Sequence, residues 1–190
     1  PTPADVINLS VSSAATCQPF VQAAIDGALS RGSAVVASAG NGARAFTAAS
    51  PAGCYDIITV GAVDRSGNRA AYSNFGVAGR DLPLFAPGGG NGSSAVSVLS
   101  TVNLGATLPT IDGYATSYGT SMAAPLVAGG VALLRAHTGM GPAAVAEHLR
   151  DTSRRFPASS NCTGSCGAGI LDVNAALKTP PRLPQAPGAV

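Results

Sequence analysis

Two apolar runs constrain the fold more than anything else in this chain. Ser33-Ala34-Val35-Val36-Ala37-Ser38-Ala39, bounded by Gly32 and Gly40, and Ile57-Ile58-Thr59-Val60-Gly61-Ala62-Val63 are almost unbroken. A strand with one wet face alternates apolar and polar residues, whereas a strand covered on both faces has no reason to. Before the first run, residues 19–32 place Val21, Ile25 and Leu29 at four-residue spacing, with Pro19 at the start and Gly32 at the end. Those are the marks of an amphipathic helix. Residues 6–11 read as an earlier strand. Strand, helix and strand in this order predict an α/β fold with a mostly parallel sheet covered by helices.

Further along, residues 64–119 are rich in Gly, Ser, Asn and Pro and read as loops and irregular strands. Residues 122–136 are apolar nearly all round, which predicts a buried helix. Residues 142–151 predict an amphipathic helix, with Pro142 at its start and Val145 and Leu149 on one face, and residues 170–177 a short final helix. From Thr179 the chain becomes a Pro-rich linker. The expected division is a folded part over residues 1–178 and a tail over 179–190.

Composition excludes several function classes. Hydrophobic residues make up 46% and charged residues 11%, too apolar for a disordered chain. A net charge of +2 from 11 basic and 9 acidic residues leaves no footprint for nucleic acid or anionic lipid. The longest apolar stretch, residues 123–134, is interrupted by Pro125, Gly129 and Gly130 and is too short to cross a membrane. The opening Pro1-Thr2-Pro3-Ala4-Asp5 has none of the regions of a signal peptide, so either one was removed or the natural start lies elsewhere. The four cysteines permit two disulfides in any of three pairings; Cys162 and Cys166 can close a small ring in a Gly/Ser/Thr loop, and that choice leaves Cys17 with Cys54. A metal site is the competing reading, but the C-x3-C pair has no second ligand pair nearby. Disulfides imply an oxidising, extracellular compartment.

One motif points in a misleading direction. Gly40-Asn41-Gly42-Ala43-Arg44-Ala45 matches G-x-G-x-x-A after a strand, and Asp64 stands where a ribose-binding acid would. Only residues 43–50 are available for a crossover helix before Pro51, too few to span a sheet. A nicotinamide cofactor is therefore not expected.

The segment richest in chemistry is Tyr118-Gly119-Thr120-Ser121-Met122-Ala123-Ala124-Pro125. It puts Ser121 where a glycine turn enters a helix. The first N–H groups of a helix lack internal partners and carry its positive dipole end. A hydroxyl there can attack a carbonyl beside a site for the resulting oxyanion. For an arbitrary Gly-Thr-Ser, a helix cap would be the better reading.

Gly119-Thr120-Ser121-Met122-Ala123-Ala124-Pro125 closely resembles the nucleophile motif of the subtilisin-like serine proteases, the subtilases. Further blocks follow in family order: Val6-Ile7-Asn8-Leu9-Ser10, Ala37-Ser38-Ala39-Gly40-Asn41, Ser50-Pro51-Ala52, Ile58-Thr59-Val60-Gly61-Ala62, Tyr72-Ser73-Asn74-Phe75-Gly76, Ala86-Pro87-Gly88-Gly89 and Gly167-Ala168-Gly169-Ile170-Leu171-Asp172. The resemblance implies a three-layer subtilisin-like α/β fold. It implies Ser121 as nucleophile, and Asn41 as an oxyanion donor alongside the Ser121 N–H. Ser10, Val11 and Ser12 on one side and Ala39 and Gly40 on the other would form the walls of the pocket for the P1 side chain, with Thr120 adjoining. These small, uncharged walls suit an apolar or broad preference. Ser12 stands where the family usually has Gly, Leu126 where His is frequent, and Tyr118 where Asn is usual.

A serine nucleophile needs a base, and the base an orienting acid. The family order is Asp, His, Ser, but the two histidines here, His137 and His148, both follow Ser121. His148 is expected at the surface or boundary of its helix and His137 near a helix C-terminus, where a cation is favoured. Asp5 and Asp26 match no acid segment of the family. The chain thus resembles the C-terminal part of a subtilase catalytic domain, and its N-terminal portion, with the Asp and His, is an expected partner. The chemistry requires no cofactor. Structural calcium is a further implication, since the loop around Ala52, Cys54 and Ile57, with Asp81 nearby, resembles a weak cation site of the family. The expected function is a secreted serine endopeptidase acting on protein and peptide substrates. The alternative is an inactive peptide-binding pseudoprotease.

Overall fold

The computed structural model describes residues 2–78, 80, 83–90, 97–162 and 166–181. Five strands form one parallel sheet: β1 (Val6–Leu9), β2 (Ala34–Ser38), β3 (Ile58–Val63), β4 (Leu84–Pro87) and β7 (Gly169–Ile170), in the spatial order β1-β2-β3-β4-β7. Every residue of β2 and β3 is buried, as their unbroken apolar sequence predicts. Two further strands, β5 (Val98–Asn103) and β6 (Asp112–Ser117), pair as an antiparallel hairpin.

Helices cover both faces, and the period of two in β2 decides which residue faces which. Val35 and Ala37 meet Ile25 and Ala28 of α1 (Pro19–Ser30) on one side. Ala34 and Val36 meet α2 (Thr120–Thr138) on the other, where Ala123, Ala124, Val127, Val131 and Leu134 are fully buried in the core. Val145, Ala146 and Leu149 of α3 (Pro142–Asp151) and Ala176 of α4 (Val173–Lys178) extend that cluster. This is the expected three-layer α/β arrangement.

Several boundaries differ from the sequence reading. The first strand ends at Leu9 rather than at residue 11, because Ser10 to Ser12 turn away into a loop. The helix expected from residue 122 starts at Thr120, two residues earlier, so Ser121 lies in its first turn. Ile170 belongs to β7, and the last helix starts only after Asp172, whose carboxylate accepts the Ala175 N–H at 2.8 Å as an N-cap. Part of the stretch read as loops supplies β4, an interior strand. The expected helix at 122–136 forms but is not buried all round: Leu126 and Leu133 are 43% and 57% exposed, and Pro125, Gly129, Ala132 and Ala136 share their side. Nothing else among the described residues covers that apolar stripe. His148 is a second correction, since it is buried rather than peripheral, with its Nε2 2.8 Å from the Ala176 carbonyl.

Cys17–Cys54 and Cys162–Cys166 are disulfides, with Cα separations of 5.0 and 5.4 Å. That is the pairing the sequence suggested. The expected tail lies outside the described residues from position 182 onward.

Candidate active site

The site gathers where β1 and β2 end and α2 begins, at the carboxyl edge of the parallel sheet. Gly119, which precedes α2, has φ 142°, a conformation that suits glycine. Its missing side chain also leaves room for Asn41: a Cβ there would lie 3.2 Å from Asn41 Nδ2.

Asn41 is oriented by Thr120. The Thr120 backbone N–H and its hydroxyl both donate to Asn41 Oδ1, each at 2.9 Å. A backbone N–H can only donate, so the atom facing it is the amide oxygen, and the Asn41 NH2 group is turned outward. Thr120 is fully buried, and its Oγ1 accepts the Gly40 N–H at 3.2 Å. In the first turn of α2, Thr120 N–H is thus taken by Asn41 and Met122 N–H by Gly119 O. The Ser121 N–H between them, like Asn41 Nδ2, has no partner among the described residues. Two unpaired donors beside a hydroxyl at a helix N-terminus can receive an oxygen on which negative charge develops.

Pro125 explains a second contact. In a regular helix the Ser121 carbonyl would accept from the N–H of residue 125, which proline lacks. That carbonyl instead accepts the Ser10 hydroxyl at 2.8 Å. The exchange is mutual, because the Ser121 hydroxyl donates to Ser10 O at 3.2 Å. Asn8 Nδ2 donates to Ser10 Oγ at 3.0 Å and fixes its rotamer. The end of β1 is thereby tied to the start of α2.

The two expected pocket walls are joined at their base, where Ser38 Oγ donates to Val11 O at 3.2 Å. Gly40 has φ 98°, and a Cβ there would lie 2.8 Å from Ser12 Oγ. The Ser12 hydroxyl therefore closes toward the opposite wall, narrower than a glycine at position 12 would leave it.

Asn74, inside the Tyr72-to-Gly76 block, carries a role that no motif announces. Asn74 is 1% exposed and holds the whole 39–44 turn. Its Nδ2 donates to Ala39 O at 2.7 Å, its Oδ1 accepts Gly42 N and Arg44 N at 3.0 and 3.1 Å, and its own N–H donates to Gly40 O at 2.9 Å. Tyr72, two residues earlier, directs its hydroxyl at the carbonyls of Gly88 and Gly89, 2.7 Å from each. Gly88 O also accepts the Gly119 N–H at 2.8 Å, so this contact braces the entry to α2. Burial pushes the Tyr72 hydroxyl up to about 12. The Tyr118 ring packs against Tyr72, centroid to centroid 5.4 Å, which gives that departure from the family pattern a structural role.

Neither histidine is near Ser121. His137 lies 16 residues along α2, about 24 Å at 1.5 Å per residue. His148 is engaged in the core. Asp5 meets Arg135 at 4.0 Å and Asp26 accepts from Gln22 at 2.8 Å. The dinucleotide-like motif is also accounted for: β2 is followed by a single 3-10 turn, Phe46–Ala48, and Asp64 Oδ1 accepts the N–H groups of Ser66 and Asn68. Among the described residues no cluster of three His, Cys, Asp or Glu side chains could hold a metal.

A family model described as the subtilase family matches residues 1–169. An extracellular protease of Xanthomonas campestris is 44% identical over 177 residues, which are 92% of this chain and 28% of that protein. Subtilisin Savinase of Lederbergia lenta is 34% identical over 174 residues, 91% of this chain and 56% of that protein. A solved protease of Pseudoalteromonas arctica superposes with a TM-score of 0.84 at 41% identity, covering 92% of this chain and 51% of that one. The chain thus spans between about a quarter and somewhat over half of the length of these relatives.

Proposed function

The chain belongs to the subtilase family, and on that premise we propose that residues 1–178 are the nucleophile-bearing part of the catalytic domain of a secreted serine endopeptidase. Ser121 Oγ attacks the scissile carbonyl. The oxyanion that forms accepts hydrogen bonds from Asn41 Nδ2 and the Ser121 N–H. The amine leaves with a proton from the base, and water then hydrolyses the acyl-enzyme. The observation that carries this reading is the double hydrogen bond from Thr120 to Asn41 Oδ1, which turns the amide donors outward before any substrate arrives. Such preorganised donors are worth most where charge appears in the transition state.

The base and its acid come from polypeptide outside this chain. Ser121 rests on the Ser10 carbonyl, an acceptor far too weak a base to activate it. The Leu126–Leu133 side of α2, exposed among the described residues and running from near Ser121, and the sheet edge at β1 are where that portion would pack. Substrates are protein chains, with Ser10, Val11, Ser12, Ala39, Gly40 and Thr120 shaping the P1 slot. Its uncharged walls favour an apolar or broad choice, and the Ser12 hydroxyl trims the largest side chains. Two disulfides and relatives named extracellular support secretion.

Fluorophosphonate labelling of the full-length protein, followed by peptide mapping, tests the reading. The expected result is a single adduct on Ser121. A folded, unlabelled protein would instead support a peptide-binding pseudoprotease.

A further inference from the structure

The 52–57 turn, with Asp81 nearby, is where the family resemblance implies a weakly held cation, bound in part by backbone carbonyls. The residues present do not fit one. The Ala52 carbonyl accepts the buried Thr59 hydroxyl at 2.9 Å. The carbonyls of Gly53 and Cys54 both accept from Arg80 Nη2, at 3.1 and 3.2 Å. The guanidinium is held from its faces as well, lying 4.0 Å from the centre of the Tyr55 ring and 5.7 Å from that of Phe46. We propose that Arg80 is a built-in cation at this turn, taking the place of the metal ion the family resemblance implies there.

Two features favour the guanidinium over an ion. First, the turn is fixed without help from a metal. Cys54 is bonded to Cys17, Gly53 N–H donates to Ala49 O at 2.7 Å, and Tyr55 N–H donates to Gln22 Oε1 at 2.8 Å. The carbonyls are therefore presented already converged. A planar, permanently charged guanidinium can bridge two such oxygens while stacking on an aromatic ring. Second, space is not what keeps an ion out. The adjoining cleft, lined by Phe46, Cys54, Tyr55, Asp56, Ile57, Thr59 and Arg80, measures about 220 Å³, against roughly 10–15 Å³ needed to hold one water molecule. The obstacle is charge: a second cation at these carbonyls would sit within a few ångström of the first, where repulsion is steep. Asp81, which the resemblance places near this site, lies outside the described residues; the misfit rests on Arg80 and the carbonyls of Ala52, Gly53 and Cys54. The proposal does not depend on Ser121 being a nucleophile.

Terbium, a luminescent stand-in for calcium that tyrosine sensitises at short range, tests this in the full-length protein. Native protein and Tyr55→Phe should emit equally, because no ion sits beside Tyr55. Arg80→Ser should add emission, and Tyr55→Phe on that background should remove the gain. Arg80→Lys keeps the positive charge and should show no Tyr55-dependent emission, which preserves a comparison should Arg80→Ser not fold. Tyr55-dependent emission in the native protein overturns the proposal. So does a folded Arg80→Ser variant that gains none.

Discussion

The two sides of the sheet edge around Ser121 are built to different standards of completeness. On the β2–β3–β4 side every strand residue but Pro87 is buried, and the 39–44 turn is secured by four hydrogen bonds from Asn74 alone. On the β1 side the strand is half-exposed, and one flank of α2 is bare over Pro125, Leu126, Gly129, Ala132, Leu133 and Ala136. Ser121 sits on the boundary between them. The finished side carries Asn41, the proposed oxyanion donor, and the Ala39–Gly40 wall of the proposed pocket, while the opposite wall, Ser10 to Ser12, follows β1. On the unfinished side, the acceptor that the described residues offer the Ser121 hydroxyl is the Ser10 carbonyl, at 3.2 Å.

That contrast can be broken by experiment, most severely at Ser121 itself. In the full-length protein Ser121→Ala should lower kcat on the order of 10⁶-fold, the loss known for a subtilisin nucleophile; retained turnover would place the chemistry elsewhere. Asn41→Ala should cost about 10²–10³-fold in kcat with KM little changed, as for loss of one oxyanion donor in a subtilisin, read by steady-state kinetics. Asn74→Ala tests the finished side. Losing its side-chain bonds should lower stability by about 3 kcal/mol in denaturant titration, and kcat should fall because the Asn41 turn loosens. Leu133→Asp tests the bare side: if other polypeptide covers it in the full-length protein, the cost should be about 2 kcal/mol, and if it remains bare, less than about 0.5 kcal/mol. The smallest effect is a pH slope. Tyr72 binds its proton more tightly when folded, so its contribution to stability is complete below pH 10 and is lost as pH rises toward about 12. Tyr72→Phe should flatten that part of the stability profile.

What the sequence made legible follows the same boundary. The runs in β2 and β3 announce themselves because burial on both faces leaves them continuously apolar, and the Gly119-to-Pro125 motif announces Ser121 because each residue has a local job. Pro125 frees the Ser121 carbonyl, and Gly119 takes a backbone angle suited to glycine. Asn74 was hidden because its partners are backbone atoms some thirty residues away, which leave no spacing to read. β4 was hidden among glycines and prolines because only four residues of it pair. The hairpin of β5 and β6 shows no alternation because both its faces are largely exposed. His148 was misread because its buried ring is satisfied by a carbonyl on a different helix, and the α2 stripe because apolar composition reports what a surface needs, not whether the cover is in the same chain.

The Cys17–Cys54 bridge has a consequence for how damage to this protein would look. It closes a covalent ring that contains α1, β2 and Asn41, with its two ends 37 positions apart in sequence. If the protein has the proposed protease activity it is exposed to that activity itself, and a single cut anywhere between the two cysteines would leave both fragments attached. Such a nicked molecule would run at full size on a gel until a reductant was added. Where the cut fell between Asn41 and Cys54, reduction would then separate Asn41 from Ser121.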